Sequence, residues 1–183
     1  LMYRAFYALP LLTAATGEYT NAIYGFSNML TKLVQDLQPD LLVVAFDKGK
    51  KTFRNELFAD YKGTRKPTPS ELSSQIPLLH DFMEAWGIAL VELAGYEADD
   101  ILGTLSTQAV AHGYEAMIVT GDRDALQLIR PDLQVLLTKR GISELAVFDE
   151  TAFVQEYGFQ PVQLIDLKGL MGDASDNIPG FLG

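Results

Sequence analysis

Residues 88–124 read IALVELAGYEADDILGTLSTQAVAHGYEAMIVTGDRD, and this stretch decides the fold. IALVEL (88–93) is a short apolar run of strand length. EADDILGTLSTQAVAHG follows as a helix with Gly113 as its stop, and EAMIVT (115–120) reads as a second strand. Strand, helix and strand in succession predict an α/β fold on a mainly parallel central sheet flanked by helices. Such sheets hold ligands beyond the carboxyl ends of their strands. Acids gather at those ends: Glu97, Asp99 and Asp100 fall within four positions, and Asp122 and Asp124 follow the second strand. From Pro67 to Gly121 there is no Lys or Arg, while Glu71, Asp81, Glu84, Glu92 and Glu115 add to the acids. Like charges this close repel, so the cluster needs a positive partner that the stretch does not supply.

Working outward, residues 20–37 place Ala22, Ile23, Phe26, Met29, Leu30, Leu33, Val34 and Leu37 on one helical face, ended by Pro39. LLVVAF (41–46) is a continuous apolar run suited to a strand buried on both faces, with Asp47 immediately after it. The polar segment 47–70 reads as loop at least in part, and 70–87 as one helix with Pro77 as a kink. A short DALQLI helix, LQVLLT (133–138) and ISELAVF (142–148) come next. The part from Asp149 looks helical and runs into GDASDN, which carries Asp173 and Asp176. The whole, 1–183, is expected to be a single domain.

Composition bounds the function. The chain has 183 residues and a net charge of −10, which by itself argues against a nucleic-acid partner. The distribution reverses that. Seven of the fourteen basic residues (Lys48, Lys50, Lys51, Arg54, Lys62, Arg65 and Lys66) lie within 48–66, opposed there by Glu56 and Asp60. With no cysteine, disulfides and thiolate metal sites are excluded, which fits a reducing cytoplasm. No apolar run approaches the roughly 18–20 residues of a membrane span. Leu1 and the closing NIPGFLG both read as cuts in a longer protein.

Asp47, Glu97, Asp99, Asp100, Asp122, Asp124, Asp173 and Asp176 are thus eight carboxylates from four segments, candidates for one site. A single acidic segment of this kind is commonly a helix cap or a local turn. Four at one sheet edge point to metal. Oxygen donors alone suit two Mg²⁺ or Mn²⁺ ions rather than zinc, and neither His80 nor His112 stands beside the acids. Paired ions drive in-line phosphoryl chemistry, one activating water and the other stabilising the departing oxygen.

YRAFYALP, AFDKGKKTFRNELFADYKGTR, GYEADDILGTL, VTGDRDALQL and LKGLMGDASDNIPG, in this order and spacing, resemble the 5′-nuclease (5′-3′ exonuclease) domains of the bacterial DNA polymerase I type, within the PIN-like flap-endonuclease superfamily. The resemblance covers essentially the whole chain. It implies that the eight acids form the metal site, with Asp99 acting mostly from the outer shell, and that a helical arch spans 48–80. It implies that Tyr61, Lys62 and Arg65 act at the scissile phosphate, that Arg4 lies near the substrate's 5′ end, and that Arg54 contacts DNA. Lys48, Lys50, Lys51 and Lys66 join the DNA-binding candidates through the basic stretch. Tyr61 offers either a stacking face for an unpaired base or a core tyrosine.

Two departures from the family pattern stand out. The apolar first strand ending in Asp is missing ahead of YRAFYALP, and NIPG stops short of a helix-hairpin-helix that would bind K⁺, with 161–183 as its start. The expected activity is metal-dependent cleavage at the junction of a 5′ flap and duplex DNA, in primer removal and repair in a bacterial cytoplasm. RNA primers are a further expected substrate, and a polymerase domain is expected to follow in the same chain. The rivals are a non-catalytic flap-binding module and a Toprim-like phosphotransfer domain. The second has no use for YKGTR or GDASDN.

Overall fold

The computed structural model describes residues 1–139 and 144–181, so the first two residues of ISELAVF lie outside the described residues. The chain parts into two compact units, each built from three segments. The first comprises Leu1–Val44, Pro67–Val91 and Thr138–Ala146; the second comprises Ala45–Lys66, Glu92–Leu137 and Val147–Gly183. The elements in order are α1 (Met2–Ala8), α2 (Asn21–Leu37), β1 (Val43–Thr52), α3 (Phe53–Leu57), α4 (Ser70–Ser73), α5 (Ile76–Trp86), β2 (Ala89–Gly95), α6 (Ala98–Ala111), β3 (Ala116–Thr120), a 3₁₀ helix (Arg123–Leu128), β4 (Leu133–Thr138), β5 (Leu145–Phe148), α7 (Glu150–Tyr157), a second 3₁₀ turn (Pro161–Gln163) and α8 (Leu164–Met171). The α/β class expected from the sequence holds, with its strands distributed over two sheets, β1-β2 and β3-β4-β5.

In the first unit, α2 buries Ala22, Phe26, Met29, Leu30 and Leu33 of the stripe its periodicity predicted, while Ile23 and Val34 are half-buried and Leu37, at the helix end, is exposed. Helices α1 and α2 approach closely because Ala5, Ala22 and Gly25 are small. A Cβ on Gly25 would stand 3.2 Å from both the Ala5 Cβ and the Leu9 Cδ1. The single helix expected over 70–87 is broken into α4 and α5 at Ser74 and Gln75. Pro77 therefore sits in the first turn of α5, where its missing N–H leaves no bond unmade.

The break places Gln75, fully buried, against the start of α2. Its Oε1 accepts from the N–H of Ala22 at 2.7 Å and of Ile23 at 3.1 Å, while its Nε2 donates to Asn21 Oδ1 at 3.0 Å and Glu71 O at 2.8 Å. Thr20, the residue before α2, makes no side-chain cap. A glutamine fifty-two positions or more downstream thus satisfies the orphan donors of this helix.

Strand β1 departs from expectation in two ways. It continues past Phe46 to Thr52, so Asp47 lies within the strand and not after it. A Lys48–Glu92 ion pair at 2.6 Å joins β1 to β2 along this extension, as oppositely charged neighbours do across paired strands. Nor is the apolar run buried on both faces, since Leu41 is 69% and Val43 42% exposed. Stretch 48–80, where the resemblance implied an arch of helices, holds the end of β1, five-residue α3, turns over 59–64, four-residue α4 and the start of α5.

The second unit is built on β3 and β4, which pair in parallel with Ala116 opposite Leu133 and Thr120 opposite Leu137. Ile118, Leu133, Val135, Leu136 and Leu137 are buried there. Phe153 of α7 is fully buried and stacks on Tyr157, with Phe159 edge-on. After α8 the chain doubles back, Asp173 and Ile178 exchanging backbone hydrogen bonds at 2.9 and 2.8 Å. Gly172 makes this possible: its φ is +72°, and a Cβ there would lie 2.3 Å from the Gly180 nitrogen. No described helix is long and apolar enough to cross a membrane.

Replacing Gln75 by Ala leaves two buried N–H groups without an acceptor, at a cost of about 2 kcal/mol. Urea unfolding of the Gln75→Ala protein should show a lower midpoint with an unchanged slope. A midpoint equal to the parent's would mean that these donors find another acceptor.

Candidate active site

All eight acids picked out in the sequence belong to the second unit. Glu97 precedes α6 in extended conformation, so Asp99 and Asp100 fall in its first turn, where the helix dipole favours negative charge. Asp100 Oδ2 accepts from the Glu97 N–H at 2.9 Å, and Asp47 Oδ1 accepts from the Ala98 N–H at 2.7 Å. These two bonds draw β1 and the start of α6 together. Asp122 follows β3 and caps the 3₁₀ helix, its Oδ1 accepting from the Asp124 N–H at 3.0 Å. Asp173 Oδ1 holds the GDASDN turn, accepting from Ser175 N at 2.8 Å, Ser175 Oγ at 2.6 Å and Asp176 N at 3.2 Å.

The positive partner missing from 67–121 is supplied by the chain itself. Arg54 meets Asp100 with two parallel bonds of 2.7 Å, the strong two-point form of the guanidinium–carboxylate pair. Lys62 Nζ donates to Glu97 Oε2 at 2.7 Å and lies 3.9 Å from Asp176 Oδ2. Arg65 pairs with Asp176 through Nη2. Lys168, on α8, lies 2.8 Å from both Asp124 Oδ1 and Asp173 Oδ2. From the sequence, the basic stretch is expected to serve substrate, with almost no cation near the acids. Three of its seven cations stand on these acids instead, and Lys168 was missed. Its only signal was a lone Lys one turn before GDASDN.

Tyr61 is buried, 6% exposed, and so presents no stacking face. Its hydroxyl reaches Asp176 Oδ2 at 3.0 Å and Glu97 Oε2 at 3.2 Å. Burial first, then the nearby Glu97 and Asp176 carboxylates, hold the phenol far above its usual range, so it stays protonated. Lys62 and Arg65 do not share a helical face. They lie in consecutive turns, Lys62 at φ +55° with its N–H donating to Asp176 O at 2.9 Å.

Lys51 and Lys66 are exposed, Lys48 is spent on Glu92, and Lys50 belongs to β1 with its side chain outside the described ones. Arg4 belongs to the first unit, where its Nη1 donates to the carbonyls of Thr138 at 2.7 Å and Lys139 at 3.0 Å.

Charge balance is uneven across the site. The hydrogen bonds from Arg54 hold Asp100 below the usual carboxylate range, and those from Lys168 and Ser175 do the same for Asp173. Asp99 is the opposite case. Although part of its surface is exposed, burial of the carboxyl and then the charges of Asp122 and Asp47 push it up to about 6, against the pull of Lys62. Among the described residues no three acids converge closely enough to hold a metal ion as they stand. The donor set nonetheless fits a hard cation, being all carboxylate oxygen with ammonium and guanidinium groups as its present occupants.

A family model described as the 5′-3′ exonuclease, N-terminal resolvase-like domain, matches residues 1–158. The chain is 51% identical over 181 residues to DNA polymerase I of Bacillus caldotenax, covering 99% of this chain and 21% of that protein. It therefore spans about a fifth of the length of such relatives. Among solved structures it is similar to the bacteriophage T5 D15 flap endonuclease in complex with DNA and metal ions, with a TM-score of 0.70 and 24% identity over 87% of this chain and 62% of that one. It is also similar to the catalytic core of Rad2 in complex with DNA substrate, with a TM-score of 0.57 and 18% identity over 98% of this chain and 53% of that one. At these identities the structural likenesses establish the fold.

The raised Asp99 has a signed consequence for the metal-free protein. Near pH 4 it is protonated in the folded chain, and little is lost relative to the unfolded one. As pH rises from about 4 through about 6, the unfolded chain sheds this proton first, so Asp99 subtracts stability. In EDTA, Asp99→Asn should leave Tm nearly unchanged near pH 4 and raise it near pH 7. A gain of equal size at both pH values would show that the ionised carboxylate, disfavoured by burial and by Asp122 and Asp47, is not its source.

Proposed function

Because the chain belongs to the 5′-3′ exonuclease N-terminal domain family, the chemistry to account for is nucleolytic, and we propose that it hydrolyses DNA phosphodiesters at 5′ ends and flap junctions with two divalent ions. The observation that carries this reading is the interleaving, within one compact unit, of eight hard-oxygen acids with Arg54, Lys62, Arg65 and Lys168. Anionic substrate and cationic metal each find their complement there. Asp100 and Asp122 would be the foremost direct ligands for Mg²⁺ or Mn²⁺, Asp100 through lone pairs that Arg54 leaves on its oxygens, with Asp47, Glu97, Asp124, Asp173 and Asp176 completing the set and Asp99 behind them. The chemistry that two such ions would supply when held by these acids is activation of water and stabilisation of the departing oxygen.

The chain's own side chains do the rest. Lys62 and Arg65 exchange Glu97 and Asp176 for the non-bridging oxygens of the scissile phosphate, fixing its register. Tyr61, kept protonated, shares its one hydroxyl proton between Glu97 and Asp176 and so holds the two acids together. Arg54 steadies the start of α6 through Asp100 and offers its outer edge to the DNA backbone. Cleavage leaves a 5′-phosphate and a 3′-hydroxyl. Primer removal and repair, with RNA primers as further substrates and a polymerase in the same chain, extend this reading to the longer protein. The T5 flap endonuclease complex with DNA and metal ions supports it.

A second reading, a flap-binding module that does not cut, is favoured by the ion pairs that now occupy the acids. Substitution separates the two. In the full-length protein, Asp122→Asn should abolish Mg²⁺-dependent flap cleavage, by more than a hundredfold, while flap binding in EDTA stays within about twofold. Undiminished cleavage would remove the metal assignment. Lys62→Ala should lower single-turnover cleavage of saturating flap substrate. A loss confined to affinity would make Lys62 a simple phosphate anchor.

A further inference from the structure

Lys168 is a single monovalent cation seated at equal distance, 2.8 Å, from carboxylates of two separate segments, Asp124 after β3 and Asp173 after α8. The arrangement is specific at the atomic level. Asp173 commits Oδ1 to Ser175 and Asp176, leaving Oδ2 to the ammonium. Asp173 is only 16% exposed, so its carboxylate has little water to fall back on, whereas Lys168 is 40% exposed on a flexible stem. Asp124 is 37% exposed, close to the lysine, but Asp173 is held in its own turn, so the lysine on its long stem is the group that can leave both acids at once. A divalent ion seeking Asp124 and Asp173 would need the oxygens that the ammonium now holds, and two cations cannot share that point.

We propose that Lys168 is a built-in counter-ion that competes with the divalent ion for Asp124 and Asp173 and so sets the ion affinity of this half of the site. The inference rests on the two-ion reading above. It explains why these acids tolerate one another without metal: the ammonium joins α8 to the 3₁₀ helix and neutralises part of their charge. Burial works against the charged lysine, but its bonds to Asp124 and Asp173 outweigh that and keep it protonated. Displaced by an ion, it swings out on its stem still charged. A plain strut between α8 and the 3₁₀ helix would behave differently, lending stability without resisting the ion.

The test is calorimetric titration of metal-free full-length protein with MnCl₂, alongside thermal melts in EDTA. Lys168→Met keeps the stem and removes the charge. It should lower the metal-free Tm yet tighten Mn²⁺ binding about tenfold at one of the two sites. Lys168→Arg, which keeps the charge, should restore the parent's Mn²⁺ affinity. Lys168→Gln carries the same expectation as Lys168→Met should the latter not fold. A lower Tm with unchanged Mn²⁺ affinity would make Lys168 a strut, and weaker Mn²⁺ binding would make it a support for the ion; either overturns the proposal. If the parent binds no Mn²⁺ at all, the metal reading itself fails, an outcome distinct from the other two.

Discussion

Five of the eight carboxylates gathered in the second unit, Glu97, Asp100, Asp124, Asp173 and Asp176, stand in ion pairs with cations of that unit, and these pairs organise it. The neutralising groups come from Arg54, Lys62, Arg65 and Lys168. Each joins segments distant in sequence: Arg54 ties α3 to α6, Lys62 and Arg65 tie the turns after α3 to α6 and the GDASDN loop, and Lys168 ties α8 to the 3₁₀ helix. The site is therefore also the clasp of the second unit. Exposed ion pairs add little on their own, but these are partly buried and share partners. Removing one leaves a crowded carboxylate behind, and that costs more than the pair itself contributes.

Much of this was legible in the sequence. The strand–helix–strand order over 88–120 and most of the apolar stripe of α2 follow from periodicity, and Glu97, Asp99, Asp100, Asp122 and Asp124 are legible because they follow strands, whereas Asp47 lies within β1 and Asp173 and Asp176 follow a helix. Cation partners were not legible, because an ion pair across more than forty positions leaves no local pattern. Arg54 with Asp100 and Lys168 with Asp124 are such pairs. Gln75 escaped for the same reason: a glutamine in a polar stretch gives no sign that it caps another helix. Pro77 was noticed but misplaced, since proline is equally at home in a helix's first turn and at a kink. The extension of β1 past Asp47 was hidden by Lys and Gly, poor strand formers whose pairing here is helped by Glu92.

The GDASDN turn shows how backbone constraint and charge depend on each other. Gly172 lets the chain double back within contact distance of Gly180, a path any side chain would block. That path directs Asp173 inward to hold its own turn with one oxygen and Lys168 with the other. It also brings the Asp176 carbonyl to the Lys62 N–H, fixing Lys62 in a left-handed conformation uncommon for a lysine. Asn177, itself left-handed, closes the contact by donating to Asp60 O at 2.9 Å. A glycine thus governs where two acids and one catalytic candidate stand.

The choice between lysine and arginine at these positions follows the same geometry. Where one acid faces one cation squarely, as Asp100 faces Arg54, a planar fork makes two bonds and holds a fixed orientation. Where one cation must serve acids from two segments, as Lys62 serves Glu97 and Asp176 and Lys168 serves Asp124 and Asp173, a single nitrogen between two oxygens does so. An ammonium is a compact point charge that neither acid orients strongly, on a stem that moves readily. The lysines therefore sit where charge must be shared and can be given up, and Arg54 sits where the start of α6 has to stay fixed. Replacing Arg54 by lysine would preserve net charge and still disturb the start of α6, because one ammonium cannot make both of the parallel bonds that the guanidinium makes to Asp100.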